Sequence, residues 1–128
     1  MRYPRRPTEA SIRAAERRKR EDESVRLKAE VPKLLELRLE LEERQGEGTI
    51  VAARHTRHIP VANAPALFEI QCSDSGCKDG GHDLTWPILQ ALKASTPTFS
   101  GDDTCGGQVG ASNCRRVLHY VVHAKYTA

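Results

Sequence analysis

Four cysteines, arranged in two pairs, constrain this chain more than any other feature of its sequence. Cys72 and Cys77 have four residues between them, and Cys105 and Cys114 have eight. The pairs bracket the polar, glycine-containing loops CSDSGC and CGGQVGASNC, each beside a predicted strand. A tetrahedral zinc site needs four thiolate or imidazole ligands that converge at about 2.0–2.3 Å from the ion. Two short loops at adjacent strand ends can supply four such sulfurs, so the pattern predicts a structural Zn²⁺ site.

The rest of the composition favours the same conclusion. Only six of the 128 residues are aromatic. Small domains with few large apolar side chains in the core usually need additional stabilisation, for example by a bound metal. No segment approaches the ~20 apolar residues of a membrane helix, and the basic N-terminus does not resemble a signal peptide. We therefore expect no membrane association and a reducing cytoplasm, where structural disulfides are rare. Disulfides within the two cysteine pairs remain the alternative to zinc.

His82 lies five residues after Cys77, directly before a predicted helix. It could replace one thiolate in a site of three cysteines and one histidine, or it could be a helix-entry histidine bonded to the loop. A catalytic zinc would need an open coordination position and a carboxylate base, and four aspartates lie nearby in the sequence. These are Asp79, Asp83, Asp102 and Asp103. Since the chain carries no HExxH, deaminase, phosphate-loop or nucleophile-elbow motif, we do not predict an enzyme.

Positive charge is concentrated in the first 30 residues, which carry a net +4, whereas the other 98 carry a net −1. Two groups of cationic or titratable side chains could therefore contact an acidic protein or a nucleic acid. They are Arg13, Arg17, Arg18, Lys19 and Arg20 in the arm, and Arg115, His119, His123 and Lys125 on one face of the last strand. Acidic residues are interleaved with the arm cations, so a solvated helix or tail is the alternative interpretation.

The hydrophobic periodicity predicts an α+β fold, with a charged helical arm over residues 1–31 and a zinc-stabilised antiparallel domain over residues 32–128. Thr8 is the expected N-cap of the arm helix. After Pro32, leucines at period two place Leu35, Leu37, Leu39 and Leu41 on one face of a strand. Further strands are predicted over residues 49–61, 66–71, 96–104 and 115–126. Leu118, Tyr120, Val122, Ala124 and Tyr126 form the core face of the last strand.

One helix is predicted between the cysteine pairs. It spans residues 85–94, with Thr85 as its N-cap and Pro87 in its first turn. Its buried stripe contains Leu84, Ile88, Ala91 and Leu92. This helix should pack on the core face of the sheet.

The cysteine loops at the ends of antiparallel strands resemble bacterial zinc-ribbon-like domains over about residues 66–126. The resemblance implies a structural metal and a binding role in nucleic-acid or protein complexes. We expect a small regulatory or adaptor module that contacts an acidic partner, including nucleic acid, through its basic arm. The alternative is a self-associating protein-interaction module, for example a homodimer, and a metalloenzyme that uses His82 is a third hypothesis.

Overall fold

A computed structural model describes residues 9–45, 50–74 and 76–127. The three helices are α1 (Glu9–Glu23), α2 (Leu27–Glu30) and α3 (Thr85–Lys93). The nine strands are β1 (Leu34–Arg44), β2 (Val51–Ile59), β3 (Glu69–Ile70), β4 (Cys77–Lys78), β5 (His82–Asp83), β6 (Thr98–Thr104), β7 (Gln108–Val109), β8 (Ser112–Asn113) and β9 (Val117–Tyr126). This architecture confirms the predicted α+β class with an N-terminal helix. The predicted cap Thr8 lies outside the described residues.

The main sheet has four strands in the order β2-β1-β9-β6, and every neighbouring pair is antiparallel. Two smaller sheets, β3-β5 and β4-β7-β8, are formed by the segments around the cysteines. The predicted strand over residues 66–71 is reduced to Glu69–Ile70, which pairs with β5. The cysteine segments therefore have their own short pairings beside the main sheet.

The alternation predicted for β1 holds for Leu37, Leu39 and Leu41, which are all buried. Leu35 is a wrong prediction, because the register with β9 shifts between Leu34 and Glu36. The extra residue gives the inward position to Leu34 and leaves Leu35 53% exposed. Glu43 continues the inward series after Leu41 and is also buried.

The core face of β9 is confirmed by the buried side chains of Leu118, Tyr120, Val122 and Ala124, whereas Tyr126 is half-buried. In α3, Leu84, Ile88 and Leu92 join the same core, and Ala91 is half-buried. Thr85 is not the helix cap.

The cap position of α3 belongs to Leu84, whose side chain cannot accept a hydrogen bond. Asp83 Oδ1 instead accepts a hydrogen bond from the Thr85 N–H at 3.1 Å. The Thr85 hydroxyl accepts one from the Phe68 N–H at 2.9 Å. Thr85 therefore ties the helix entry to the segment before β3.

The segment after α1 joins the main core. Leu27 is fully buried and Val31 is 4% exposed. The Leu27 N–H donates to the Ala64 carbonyl at 2.9 Å, and the Ala66 N–H donates to the Val25 carbonyl at 2.8 Å. The arm is thus tied to the body at its C-terminal end.

Within the described ranges, no helix combines the length and apolar character needed to cross a membrane.

Candidate metal centre

The four cysteines meet because each lies at or just beyond the end of a strand. Cys72 follows β3, Cys77 begins β4, Cys105 follows β6 and Cys114 follows β8. The Cys105 N–H donates to the Arg116 carbonyl and the Cys114 N–H donates to the Gly107 carbonyl, both at 2.8 Å. All four side chains are buried and form a cluster of their own, with Val109 packed against it. This cluster joins the main sheet to the β4-β7-β8 sheet.

The four Sγ atoms lie within 4.8 Å of one another. The Sγ atoms of Cys72 and Cys114 are 3.8 Å apart, and those of Cys77 and Cys105 are 3.6 Å apart. A metal with sulfur ligands at about 2.3 Å in a tetrahedron has its sulfurs about 3.8 Å apart. These two contacts cross between the predicted pairs, and all four cysteines are free. The cluster therefore has the geometry and the donor set of a metal site, as the sequence predicted.

Two facing glycines allow this close approach. A Cβ atom on Gly107 would lie 2.5 Å from Cys77 Sγ and 2.6 Å from Gly80 Cα. A Cβ atom on Gly80 would lie 2.5 Å from the Sγ atoms of both Cys77 and Cys105. Next to Gly80, Gly81 has a positive φ of 129° and donates its N–H to Cys105 Sγ at 3.2 Å. The backbone thus surrounds the sulfurs at positions where any side chain would displace them.

The surroundings shift the thiol pKa values in opposite directions. Burial raises the pKa of Cys77 to about 12, and burial also raises the pKa of Cys72. At Cys105 burial opposes ionisation, but hydrogen bonds from the N–H groups of Gly107 and Gly81 and from neighbouring thiols outweigh it and lower the pKa. Without a cation, then, the cluster resists holding four thiolates. A divalent metal supplies the charge that would let all four ionise.

Metal uptake should therefore release protons. At about pH 7, we expect between two and four protons per ion, because the thiols of Cys72 and Cys77 are protonated in the metal-free cluster. Since protons compete with the metal, the affinity should fall as the pH is lowered. A weakly buffered zinc titration with a pH indicator measures the release. Binding without proton release would show that the thiols are not the ligands.

The structure does not bring His82 into the cysteine cluster. Its side chain is fully buried, with Nε2 at 2.8 Å from Glu43 Oε2 and Nδ1 at 2.8 Å from Asp103 Oδ2. Both ring nitrogens lie within hydrogen-bond distance of carboxylate oxygens, so both are engaged by Glu43 and Asp103 instead of by the cysteine cluster. His82 therefore connects β1 to the end of β6 at the entry to α3.

Glu43, for which no role was expected from the sequence, is a buried carboxylate beside the cysteine cluster. Its buried carboxylate accepts hydrogen bonds from the Ser73 N–H at 3.1 Å and from the Ser73 hydroxyl. Arg116 Nη1 lies 3.5 Å from the same oxygen, and Cys72 Sγ lies 3.9 Å from it. Burial opposes ionisation, but the hydrogen bonds from Ser73 and His82 outweigh it and lower the pKa of Glu43. Its inward position after three buried leucines was the signal available in the sequence.

Three of the five arm cations face the body and make contacts there. Arg13 donates to the Cys77 carbonyl at 3.0 Å, and Arg20 makes two hydrogen bonds with Glu69 at 2.7 and 3.1 Å. Arg17 contacts Gln71 at 3.5 Å across a cleft of about 460 Å³ between α1 and the cysteine segments. Arg18 and Lys19 are exposed. The arm helix is thus docked beside the cysteine cluster.

The cationic face of β9 is paired with carboxylates of neighbouring strands. His123 Nε2 lies 3.2 Å from Glu40 Oε2, and Lys125 Nζ lies 3.3 Å from Glu36 Oε2. His119 pairs with Asp102. Arg115 is exposed. The strip predicted from the sequence is therefore largely neutralised within the sheet itself.

Comparison of the chain with protein-family models, curated proteins and solved structures found no match. The resemblance to zinc-ribbon-like domains is supported only in its general form. Four cysteines lie within metal-binding distance of one another in a small domain built from antiparallel sheets.

Proposed function

We propose that this chain is a protein-interaction module whose fold is fixed by one Zn²⁺ ion bound to Cys72, Cys77, Cys105 and Cys114. The observation that carries the proposal is the cluster of four buried Sγ atoms at the spacing of a tetrahedral site. Tetrahedral thiolate sets suit zinc, and the binding free energy of such sites contributes directly to folding. A reducing compartment such as the cytoplasm would keep the cysteines available to the metal.

A binding role is favoured over catalysis by the closed nature of the cluster. Structural zinc sites use four protein ligands, whereas catalytic sites keep one position for water or substrate. The four thiolates would complete the coordination of the ion and are all buried. His82, which the metalloenzyme hypothesis uses together with an aspartate, is held between two carboxylates.

A protein partner is favoured over nucleic acid by the pairing of the cationic side chains. Sequence-independent binding to nucleic acid depends on clustered cations that can contact phosphates. Of the nine candidates, six make hydrogen bonds or ion pairs within the chain. The other three, Arg18, Lys19 and Arg115, belong to two distant segments of the sequence. An adaptor that binds protein fits this distribution better than a nucleic-acid binder.

Elemental analysis of the reduced protein tests the metal centre. We expect one zinc per chain, retained through gel filtration, and loss of cooperative folding when a chelator removes it. Cys114→Ser should lose the zinc, whereas Ser112→Ala, an exposed position in the same hairpin, should keep it. A reduced protein that stays folded without metal would contradict the proposal.

The partner class is tested with the zinc-loaded protein and mixed nucleic acid at low salt. We expect no binding at micromolar protein. Tight binding that weakens steeply with salt, and that Arg18→Gln combined with Lys19→Gln removes, would favour a nucleic-acid partner instead.

A further inference from the structure

We propose that zinc-loaded copies of this chain associate edge to edge, with β2 of one copy paired to β6 of the next. The inference rests on the proposed interaction function and names its partner as a second copy. Both strands are the outer members of the four-stranded sheet. They carry the surface on which one sheet can extend another through main-chain hydrogen bonds.

Both edges are long and accessible. β2 has nine residues, none of them fully buried, and contains neither Pro nor Gly. β6 has seven residues, which alternate between exposed and half-buried. Natural sheets usually blunt such edges with proline, bulges or charge. β2 has a bulge near its start, where its register with β1 shifts between Ala53 and Val51. Along the rest of the two strands the protection consists of charge, and the charge has opposite signs.

The two edges are complementary in charge. β2 contains Arg54, His55, Arg57 and His58 and no acidic residue, and β6 contains Asp102 and Asp103 and no basic residue. A β2-β2 contact would bring the cations of two copies together, and a β6-β6 contact would bring four carboxylates together. Like charges across a strand pair oppose association, whereas opposite charges favour it. The charges therefore favour a β2-β6 contact between copies over a β2-β2 or a β6-β6 contact.

The directions of the strands permit a β2-β6 contact between two copies without any change in the fold of either copy. The four strands alternate in direction, so β2 and β6 run oppositely. A second copy displaced sideways across the sheet would place its β6 antiparallel to β2, with the core layers of both copies on the same side. The joint then has the same antiparallel form as the pairings within each copy.

A specific register matches the charges and the faces together. With Thr56 opposite Ser100, Arg54 lies opposite Asp102, and both belong to the face that points away from the leucine core. The Arg54 side chain is 69% exposed and uses two of its nitrogens to bond Glu42, so further donors remain for a second carboxylate. The Asp102 side chain is 63% exposed.

Such a contact uses two different surfaces and does not close on itself. Contacts of this kind produce open assemblies, or rings where the rotation happens to close. Each strand adds a twist of roughly 20–25°, so successive copies should rotate about the assembly axis. Growth should therefore depend continuously on concentration instead of stopping at a dimer.

Sedimentation velocity of the zinc-loaded full chain tests the proposal. The monomer mass is 14.2 kDa. We expect the average mass to rise with protein concentration at low salt and to fall when salt is added. Arg54→Glu or Asp102→Lys alone should weaken association about tenfold, since each replaces an attraction by a repulsion. Arg38→Glu, on the same face but in the interior of the sheet, should leave association unchanged.

Mixing the two variants gives the decisive comparison. At the contact positions 54 and 102, Arg54→Glu carries an acidic residue on both edges and Asp102→Lys a basic one on both, so an equimolar mixture should assemble more strongly than either variant alone. A folded protein with one zinc that stays monomeric at every concentration would overturn this inference and leave the proposed function intact. A dimer of fixed size, or a monomer that binds an acidic extended peptide, would also overturn it. A folded protein without zinc would contradict the proposed function instead.

Discussion

Gly107→Ala should strongly weaken the metal site although it alters none of the four cysteines. The added Cβ would lie 2.5 Å from Cys77 Sγ, 2.6 Å from Gly80 Cα and 2.7 Å from the Lys78 carbonyl oxygen. Two of these three neighbours are backbone atoms, so a side-chain rotation cannot relieve the clash. Metal coordination tolerates errors of only about 0.2 Å in ligand distance. We expect zinc affinity to fall at least about 100-fold, a loss at the upper end for residues that support metal ligands.

Gly106→Ala is the matched control, since a Cβ there would meet nothing within 4 Å among the described residues. It should bind zinc like the parent protein, and the less flexible unfolded chain should raise the free energy of unfolding by up to about 1 kcal/mol. Gly80→Ala should repeat the loss from the opposite loop. The measurement is competitive zinc titration against a chromophoric chelator, with stability measured in parallel. Equal affinities for the Gly106 and Gly107 variants would show that the two loops are not packed as described.

The clustering of the four cysteines could be predicted from the sequence because it is a local property of two loops. Each cysteine pair is bracketed by turn-forming residues next to a strand, and those features determine where the sulfurs can go. Which cysteine lies closest to which could not be predicted, because it depends on how the loops face each other. The close Sγ contacts of Cys72 with Cys114 and of Cys77 with Cys105 connect residues 42 and 28 positions apart.

Which charged side chains form ion pairs could not be predicted, because ion pairing depends on strand register. His123 and Lys125 form a cationic strip when β9 is considered alone. In the sheet, β1 places Glu40 and Glu36 within ion-pair distance of them. Similarly, the arm arginines are a charge cluster in the sequence, whereas the fold places Arg13 and Arg20 against cysteine-segment acceptors. Charge predictions from one element therefore fail wherever a neighbouring strand or loop supplies the opposite sign.

Period-two reasoning was right for most of β1 and wrong at its start. One residue inserted opposite β9 transfers the inward position from Leu35 to Leu34. The same reasoning, continued to the end of the strand, places Glu43 inward. A buried carboxylate requires hydrogen-bond partners. The partner of Glu43 is His82, which lies 39 residues away in the sequence, so the pair could be identified only from the fold.

His82→Ala should be among the most destabilising single substitutions outside the four cysteines. It removes the hydrogen-bond partner of Glu43 Oε2, whose side chain is only 4% exposed, although Ser73 and Arg116 still contact the other oxygen. Leaving a buried polar atom without its partner costs about 1–3 kcal/mol, and more for a charged group, so we expect a loss of about 3 kcal/mol. Asp103→Asn is the milder comparison, since the Asp103 side chain is 36% exposed and water can replace part of the contact. We expect it to cost about 1 kcal/mol, as for an ordinary hydrogen bond.

Zinc content separates this structural role of His82 from ligation. Because both ring nitrogens face carboxylates, the His82→Ala protein should still bind one zinc per chain at temperatures where it is folded. Glu43→Gln should be less damaging than His82→Ala, since its amide oxygen can still accept the hydrogen bonds from Ser73 and no charge is left unpaired in the core. Urea unfolding with elemental analysis of the same samples provides both readouts. Loss of zinc from His82→Ala under conditions in which Asp103→Asn and Glu43→Gln retain it would show that His82 is a metal ligand.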